Sequence, residues 1–337
     1  MTHSVSIIAE AGVNHNGDIT LAMHLVDAAA NAGADFVKFQ TFNPDALATP
    51  VADKAEYQIR TTGNDETQLD MLRRLVLTRD DHVRLKAYCA ERGIEFLSTP
   101  FDADSADMLV ELDVPAIKIS SGDLTNLPLL RHVALTGKPM IVSTGMGTLD
   151  EIREAVGAIR TVGAEDITIL HCVTDYPADP ADANLRAIRT LADAFDLPVG
   201  YSDHTPGISV AIAAAAIGAT VVEKHITLDR SLPGPDQQAS LEPAEFASLV
   251  SGIRTVEKAL GTGEKIPSER EIANIAAARR SLVSARAIAK DSVVTADDLT
   301  IMRPGTGMTP SKLDTVIGRK ANRAIDPGTL LTEDMFA

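Results

Sequence analysis

The sequence has no tryptophan and only 4% aromatic residues, so an aromatic stacking platform for bases or glycans is not expected. It has two cysteines, Cys89 and Cys172, in no CxxC spacing. That excludes a disulfide framework or thiolate zinc site and points to the reducing cytoplasm. Basic residues are scarce: 31 Lys and Arg stand against 47 Asp and Glu, a net charge of −16. Nucleic acid and anionic membranes demand clustered Lys and Arg, so neither is an expected partner. The longest near-apolar stretch, Ile208 to Val222, is broken by Ser209, Gly218 and Thr220 and falls short of a bilayer span. The first residues, Met1 to Ala9, have no basic n-region and do not read as a signal peptide.

What is present is a substantial apolar fraction, 45% of 337 residues, enough for one large domain and a smaller one. Short β-rich runs alternate with Ala/Leu-rich helical stretches. The runs are 5–10, 35–40, 94–99, 116–121, 139–144, 167–172, 198–202 and 220–225. They are continuous apolar segments, as parallel strands buried on both faces require. Eight βα units in about 260 residues predict a (β/α)8 TIM barrel over 1–260. The second choice, a doubly wound open sheet, lacks its GxGxxG fingerprint; Gly145-Met146-Gly147 is a lone GxG. Residues 261–280 read as a linker. From Ser281 short β-like pieces and turns at Arg303-Pro304-Gly305 and Asp326-Pro327-Gly328 predict a compact β-rich domain over 281–337. It holds seven Lys/Arg and seven Asp/Glu, so residues 1–280 carry all of the −16.

In a TIM barrel the chemistry sits at the C-terminal strand ends. Here those ends carry Glu10; Lys38 and Gln40; Thr99; Lys118, Ser120 and Ser121; Ser143 and Thr144; His171, with Tyr176 beyond it; Ser202 and His204; and Glu223, Lys224 and His225. One such residue has a structural explanation, and Asp102 and Asp150 read as helix caps. Polar groups at every strand end do not, since each buried polar group without a partner costs about 1–3 kcal/mol. Lys38 and Lys118 with nearby hydroxyls make a pocket suited to a phosphate and a carboxylate, although each Lys also fits a plain ion pair. His204 and His225, with Glu10 on the adjoining strand, are candidate ligands of one divalent metal. Asp236, in the sharp loop Gly234-Pro235-Asp236, either accepts from sugar hydroxyls or caps a turn.

The ordered motifs Ala9–Gly17 (AEAGVNHNG), Val37–Phe42 (VKFQTF), Leu97–Phe101 (LSTPF), Lys118–Asp123 (KISSGD), Ser143–Met146 (STGM), Gly200–Thr205 (GYSDHT), Glu223–His225 (EKH) and Leu232–Asp236 (LPGPD) resemble the bacterial sialic acid synthases. These are phosphoenolpyruvate-condensing enzymes that make N-acetylneuraminate and related nonulosonates. The resemblance spans essentially the whole chain. The tail, with Arg303–Met308, looks like the antifreeze-like (SAF) β-clip domain that follows the barrel in this family.

The resemblance implies a transferase that joins phosphoenolpyruvate, an N-acyl mannosamine-type sugar and water into a nine-carbon 2-keto acid, releasing phosphate. N-acetylmannosamine is the first expectation. The alternative is a 2,4-diacetamido-2,4,6-trideoxyhexose leading to legionaminate or pseudaminate. It implies that Lys38, Thr99, Lys118, Ser121, Ser143 and Ser202 hold phosphoenolpyruvate. His204 and His225 would bind Mn2+, or Mg2+ or Co2+, with Glu10 beside the metal moving protons. Gln40, Tyr176 and Asp236 would hold the open-chain sugar, and Arg303 would reach its N-acyl group from the partner in a domain-swapped homodimer. The candidate acceptors differ at carbons 4 and 6, which the loops over 45–65, the least motif-like part of the chain, are expected to read; Asn64 is a further candidate contact. Thr174 stands where some relatives carry Asn, and Gln237 where many carry His, so neither is given a role. Two other functions compete. A Schiff-base aldolase would use Lys118 or Lys38 as its amine and has no use for the His204/His225 pair. A non-enzymatic, surface-binding protein built on the antifreeze-like tail leaves the strand-end residues unexplained.

Overall fold

In the computed structural model, which describes residues 4–63 and 65–337, the apolar runs form eight parallel strands. They are β1 (Ser6–Gly12), β2 (Phe36–Thr41), β3 (Glu95–Pro100), β4 (Ile117–Ile119), β5 (Met140–Ser143), β6 (Ile167–Cys172), β7 (Val199–Asp203) and β8 (Val221–His225). Their hydrogen-bonded order is β3-β2-β1-β8-β7-β6-β5-β4. β3 also lies beside β4, closing the TIM barrel at a junction with no ladder among the described residues. Asn64 and Met1 to His3 lie outside the described residues.

The helices between the strands start and stop where local chemistry dictates. Asp18 and Thr78 cap the helices Ile19–Ala32 and Arg79–Arg92, which end on the left-handed glycines Gly33 and Gly93. Asp102 caps Ala103–Glu111 as expected, accepting from the Ser105 amide at 2.7 Å. Asp150 does not cap its helix. Thr148 does, in a reciprocal box with Glu151 that satisfies two free amides at once.

Strand parity builds the floor of the barrel. Inside it, Ile8, Leu97, Ala116, Leu170 and Val221 form an apolar plug, with Phe36 and Ile141 packed against it. Two residues further along the same strands, on the same face, come Glu10, Thr99, Lys118, Cys172, Glu223, Lys38 and Ser143. The intervening residues face outward into the larger core between sheet and helices, among them Ala9, Val37, Ile117, Val142 and Val222.

One outward pair is ionic. Lys224 on β8 donates to Asp203 of β7 at 2.6 Å and to the Thr205 carbonyl, with both charged side chains at 0% exposure. The second Asp203 oxygen accepts from the Thr205 amide and hydroxyl at 2.9 and 2.8 Å.

Contacts divide the chain after Gly261. The second unit, Thr262–Ala337, takes in most of the segment expected as a linker, including a helix at Glu269–Ala278. The end of that helix accepts from the Gly305 amide at 2.7 Å and from Arg303 Nε at 3.1 Å. Two antiparallel strands, β9 (Ser281–Ser284) and β10 (Leu299–Met302), and several turns surround a small core that includes Leu282, Ile288, Val316, Leu331 and Phe336. No helix among the described residues is long and apolar enough to cross a membrane.

Candidate active site

The strand ends open into a cavity of about 400 Å³. Every barrel residue given a role above lines it: Glu10, Lys38, Gln40, Thr99, Lys118, Ser121, Ser143, Tyr176, Ser202, His204, His225 and Asp236. Arg303 belongs to the second unit and is placed only there.

Four buried charges make the floor. Lys38 Nζ lies 2.6 Å from Glu10 Oε2 and 3.7 Å from Glu223 Oε2, and donates to Thr99 at 3.1 Å. Lys118 Nζ lies 3.6 Å from Glu223 Oε1, which also accepts from Ser202 at 2.8 Å. The ion-pair explanation of the two lysines is therefore present together with the pocket. Burial works against both ammonium groups. Glu10 and Glu223 outweigh it at Lys38 and raise its pKa, whereas Lys118 is lowered by burial with Lys38 adding to it. Glu223 is held low: Lys118, Lys38 and the Ser202 bond overcome the burial that would raise it. Glu10 moves the other way, raised by burial and the Glu223 charge against the pull of Lys38. It takes up a proton more readily than an ordinary glutamate.

Glu223 was given no role from sequence, yet it bridges both lysines. The available signal was parity: on a strand, Glu223 and His225 share one face and Lys224 takes the other. Gly12 sets the geometry of Glu10. β1 shifts register between Glu10 and Gly12, where φ is +50°, and a Cβ there would lie 2.9 Å from Glu10 Oε1. Gly145 is constrained similarly. A Cβ on it would fall 2.2 Å from Thr174 Oγ1 and 2.8 Å from Ser121 Oγ, and its amide donates to Ser121 at 3.0 Å.

The other end of the cavity is aromatic. His204 and His225 stand with ring centroids 5.4 Å apart, and Tyr176 lies 4.2 Å from His204. Tyr57, from the helix Glu56–Thr62, lies 4.7 Å beyond Tyr176. Tyr57 falls within the 45–65 loops expected to read carbons 4 and 6 of the sugar, but with no motif there it was not singled out. Burial keeps both imidazoles neutral by lowering their pKa values, and at His225 the neighbouring His204 and Lys38 add to this. His204 Nδ1 is 2.6 Å from the Val173 carbonyl, which leaves Nε2 as its lone-pair nitrogen. His225 Nδ1 is buried without a hydrogen-bond partner, 3.8 Å from Asp236 Oδ2. Two neutral imidazoles, one with an orphaned nitrogen, fit a divalent metal. No group of three or more His, Cys, Asp or Glu is assembled for one among the described residues, so further ligands would come from substrate or water. Asp236 is raised to about 7 by burial and the Glu10 charge.

The Ala9–Gly17 motif is mainly a brace for this end. Asn14 donates to the Ile226 carbonyl at 2.9 Å and to Ser240 at 2.8 Å, and Asn16 to the Pro233 carbonyl at 2.8 Å. Gln237 returns a bond to the Asn14 carbonyl at 3.0 Å, fixing the loop that carries Asp236. His15 is 1% exposed, and burial, with His82 adding, lowers its pKa from 6.5 to about 4. Between those values the unfolded chain binds the proton that the folded chain refuses, so stability falls as pH drops from 6.5 to about 4. That shift corresponds to about 3 kcal/mol. In denaturant titrations across this range, His15→Gln is expected to lose less stability than the wild type by about that amount. Equal losses would contradict the assignment.

Residues 25–265 match the NeuB family, and residues 279–337 match the SAF domain. The chain is 47% identical over 329 residues to the N,N'-diacetyllegionaminic acid synthase of Legionella pneumophila, covering 96% of this chain and 92% of that one. It is 46% identical over 329 residues to the protein of the same name from Campylobacter jejuni, covering 97% and 98%. Among solved structures, the N-acetylneuraminic acid (sialic acid) synthetase of Leptospira borgpetersenii, in complex with citrate, superposes with a TM-score of 0.71 at 37% identity, covering 81% of this chain and 90% of that one.

Proposed function

This chain belongs to the NeuB family, and from that premise we propose that it condenses phosphoenolpyruvate with the 2,4-diacetamido-2,4,6-trideoxyhexose that leads to N,N'-diacetyllegionaminate. N-acetylmannosamine, the first expectation from sequence, gives way to the alternative. The relatives at 47% and 46% identity are named for the legionaminic product, and the sialic acid synthetase stands at 37%. The observation that carries the choice is the cavity wall. Leu47, Met71, Leu72, Leu75 and Phe101 line it, while Lys38 and Lys118 are its only Lys or Arg among the described residues, both on the floor. A deoxygenated, uncharged acceptor with methyl and acetamido groups suits that wall; a phosphorylated one finds no further cation.

The floor suits phosphoenolpyruvate. Lys38 and Lys118, with Thr99, Ser121, Ser143 and Ser202, offer charge and directed donors to a phosphate and a carboxylate. The C2=C3 π pair of phosphoenolpyruvate forms the bond from C3 to the acceptor aldehyde carbon, whose oxygen becomes a hydroxyl, while a water oxygen bonds to C2; of the two water protons one ends on that hydroxyl and the other leaves with phosphate. The C2–O bond to phosphate then breaks, leaving the keto acid. Glu10 takes the proton from the attacking water, its raised pKa suiting that exchange. Gln40, Tyr176 and Asp236 orient the open-chain sugar. His204 and His225 would hold the divalent metal, Mn2+ in this reading, which supplies Lewis acidity to a carbonyl oxygen. The same reading assigns Arg303 of a second copy to an N-acyl group.

The test is phosphate release from phosphoenolpyruvate with each sugar in turn, in the presence of Mn2+. The diacetamido sugar is expected to give a kcat/KM at least about tenfold above N-acetylmannosamine, from roughly 1.4 kcal/mol of extra contact. Activity is expected to vanish with chelator, and Arg303→Ala to raise the KM for the sugar. Equal or better turnover of N-acetylmannosamine would refute the acceptor. Borohydride trapping with pyruvate and indifference to chelator would restore the aldolase.

A further inference from the structure

Tyr57 lies outside every motif by which the sequence was read, yet it lines the cavity. It stands third in an aromatic column: His204, then Tyr176 at 4.2 Å, then Tyr57 a further 4.7 Å out. A sugar whose aldehyde lies at the imidazole end and whose chain runs along this column brings C4, three bonds further on, opposite the Tyr57 ring. That is one of the two carbons, C4 and C6, at which the candidate acceptors differ.

The hydroxyl of Tyr57 is oriented as a donor. Gln58 Oε1 accepts from the Ala55 amide at 3.0 Å, the bond that starts the helix. This turns Gln58 Nε2 toward Tyr57, to which it donates at 3.3 Å. With one lone pair so engaged, the Tyr57 proton is left for a partner in the cavity. Burial and the Asp236 charge raise the phenol pKa, so it stays protonated throughout the neutral range.

The helix bearing Tyr57 is anchored from behind. Lys54 Nζ donates to Thr62 at 3.0 Å and pairs with Glu66 at 3.3 Å; Glu66 in turn pairs with Arg74 at 2.5 Å. Arg74 lies in the helix Gln68–Leu75, whose Met71 and Leu75 pack with Val13 and Phe42, and with Leu47, Leu72 and Phe101, as a small separate core. The wall facing the sugar therefore has an apolar part, made by that core, and polar points at Gln58, Gln68 and the Tyr57 hydroxyl, of which only the last stands in the aromatic column.

We propose that Tyr57 determines acceptor specificity by donating a hydrogen bond to the carbonyl of the sugar's 4-acetamido group while its ring covers that carbon. This rests on the proposed acceptor and deepens it. An acetamido carbonyl accepts well from a phenol. N-acetylmannosamine carries at that carbon a hydroxyl, a shorter group that does not span the same gap.

Tyr57→Phe removes only the oxygen and keeps the ring in the column. With the full-length protein, phosphoenolpyruvate and Mn2+, the variant is expected to raise the KM for the diacetamido sugar about tenfold, the scale of one buried hydrogen bond. Its kcat and its KM for phosphoenolpyruvate should stay near wild type. The ratio of kcat/KM between the diacetamido sugar and N-acetylmannosamine should fall by the same factor. An unchanged ratio in a variant whose wild type prefers the diacetamido sugar overturns the role of Tyr57 and leaves the acceptor standing. A wild type that prefers N-acetylmannosamine overturns the acceptor, and the Tyr57 proposal with it. Equal losses on both sugars at an unchanged melting temperature also overturn it, since they would make Tyr57 a general support of the pocket.

Discussion

Glu10→Gln is expected to lower kcat by about 10²- to 10⁴-fold while phosphoenolpyruvate still binds, the range typical of a lost general base. The substitution keeps size and shape, and Gln40, which donates to Glu10 Oε1 at 3.3 Å, can still find an oxygen there. What disappears is a carboxylate that burial and Glu223 have made easier to protonate, set 2.6 Å from Lys38. The check is single-turnover phosphate release beside calorimetric titration with phosphoenolpyruvate. Turnover within about threefold of wild type would refute the base role. A loss of phosphoenolpyruvate affinity matching the loss of rate would make Glu10 a partner of Lys38 and nothing more. Glu10→Asp, with its charge intact but shorter, is expected to recover part of the rate.

The largest effect on stability is expected at Lys224. Lys224→Met removes the only cation paired with Asp203 among the described residues and leaves that carboxylate at the interface of β7, β8 and the surrounding core. Breaking such a buried pair from one side costs about 3–5 kcal/mol. At about 2–4 °C per kcal/mol for a domain of this size, the melting temperature should drop roughly 6–20 °C. The double variant Asp203→Leu/Lys224→Met tests the cause. Burial lowers the Lys224 pKa despite Asp203, so the lone ammonium is poorly tolerated where it sits. The apolar pair removes the lone charge but also orphans the buried Thr205 amide, hydroxyl and carbonyl, so it is expected to recover only part of the loss. If the single variant melts like wild type, the pair is not holding the strands together.

The comparison of Lys224 with its neighbours shows how far the sequence could be read. Glu223, Lys224 and His225 are consecutive and all ionisable, and composition does not rank them. Strand parity does, once one inward residue is known: Glu223 and His225 reach the cavity and Lys224 the outer core. The strand positions were legible for the same reason, since doubly buried strands leave continuous apolar runs whose ends are sharp. β4 was the exception, shortened to Ile117–Ile119 because Ser120 already begins a turn of 3-10 helix. Tyr57 itself was not legible, although the 45–65 loops that hold it were expected to read the sugar. Its place depends on a helix folding back from between β2 and β3 to meet Tyr176, more than a hundred residues on, and no local pattern encodes that contact. Nor did residue type separate the brace from the site. Asn14, His15 and Asn16 look chemical, but Asn14 and Asn16 bind backbone of the β8 loop and His15 is shut away.

The two ends of the cavity are built from different kinds of chain. The groups assigned to the reaction stand on or just past strands, where moving one would shift a ladder and the plug beneath it. The apolar wall proposed to meet the far end of the sugar comes mostly from the crossover between β2 and β3, which carries Leu47, Tyr57, Met71, Leu72 and Leu75 and adds no strand to the barrel. Insertions and replacements in that crossover can accumulate without retuning the four charges below. A lineage can thus inherit one reaction and diversify the sugars it extends, with the two traits under nearly separate selection.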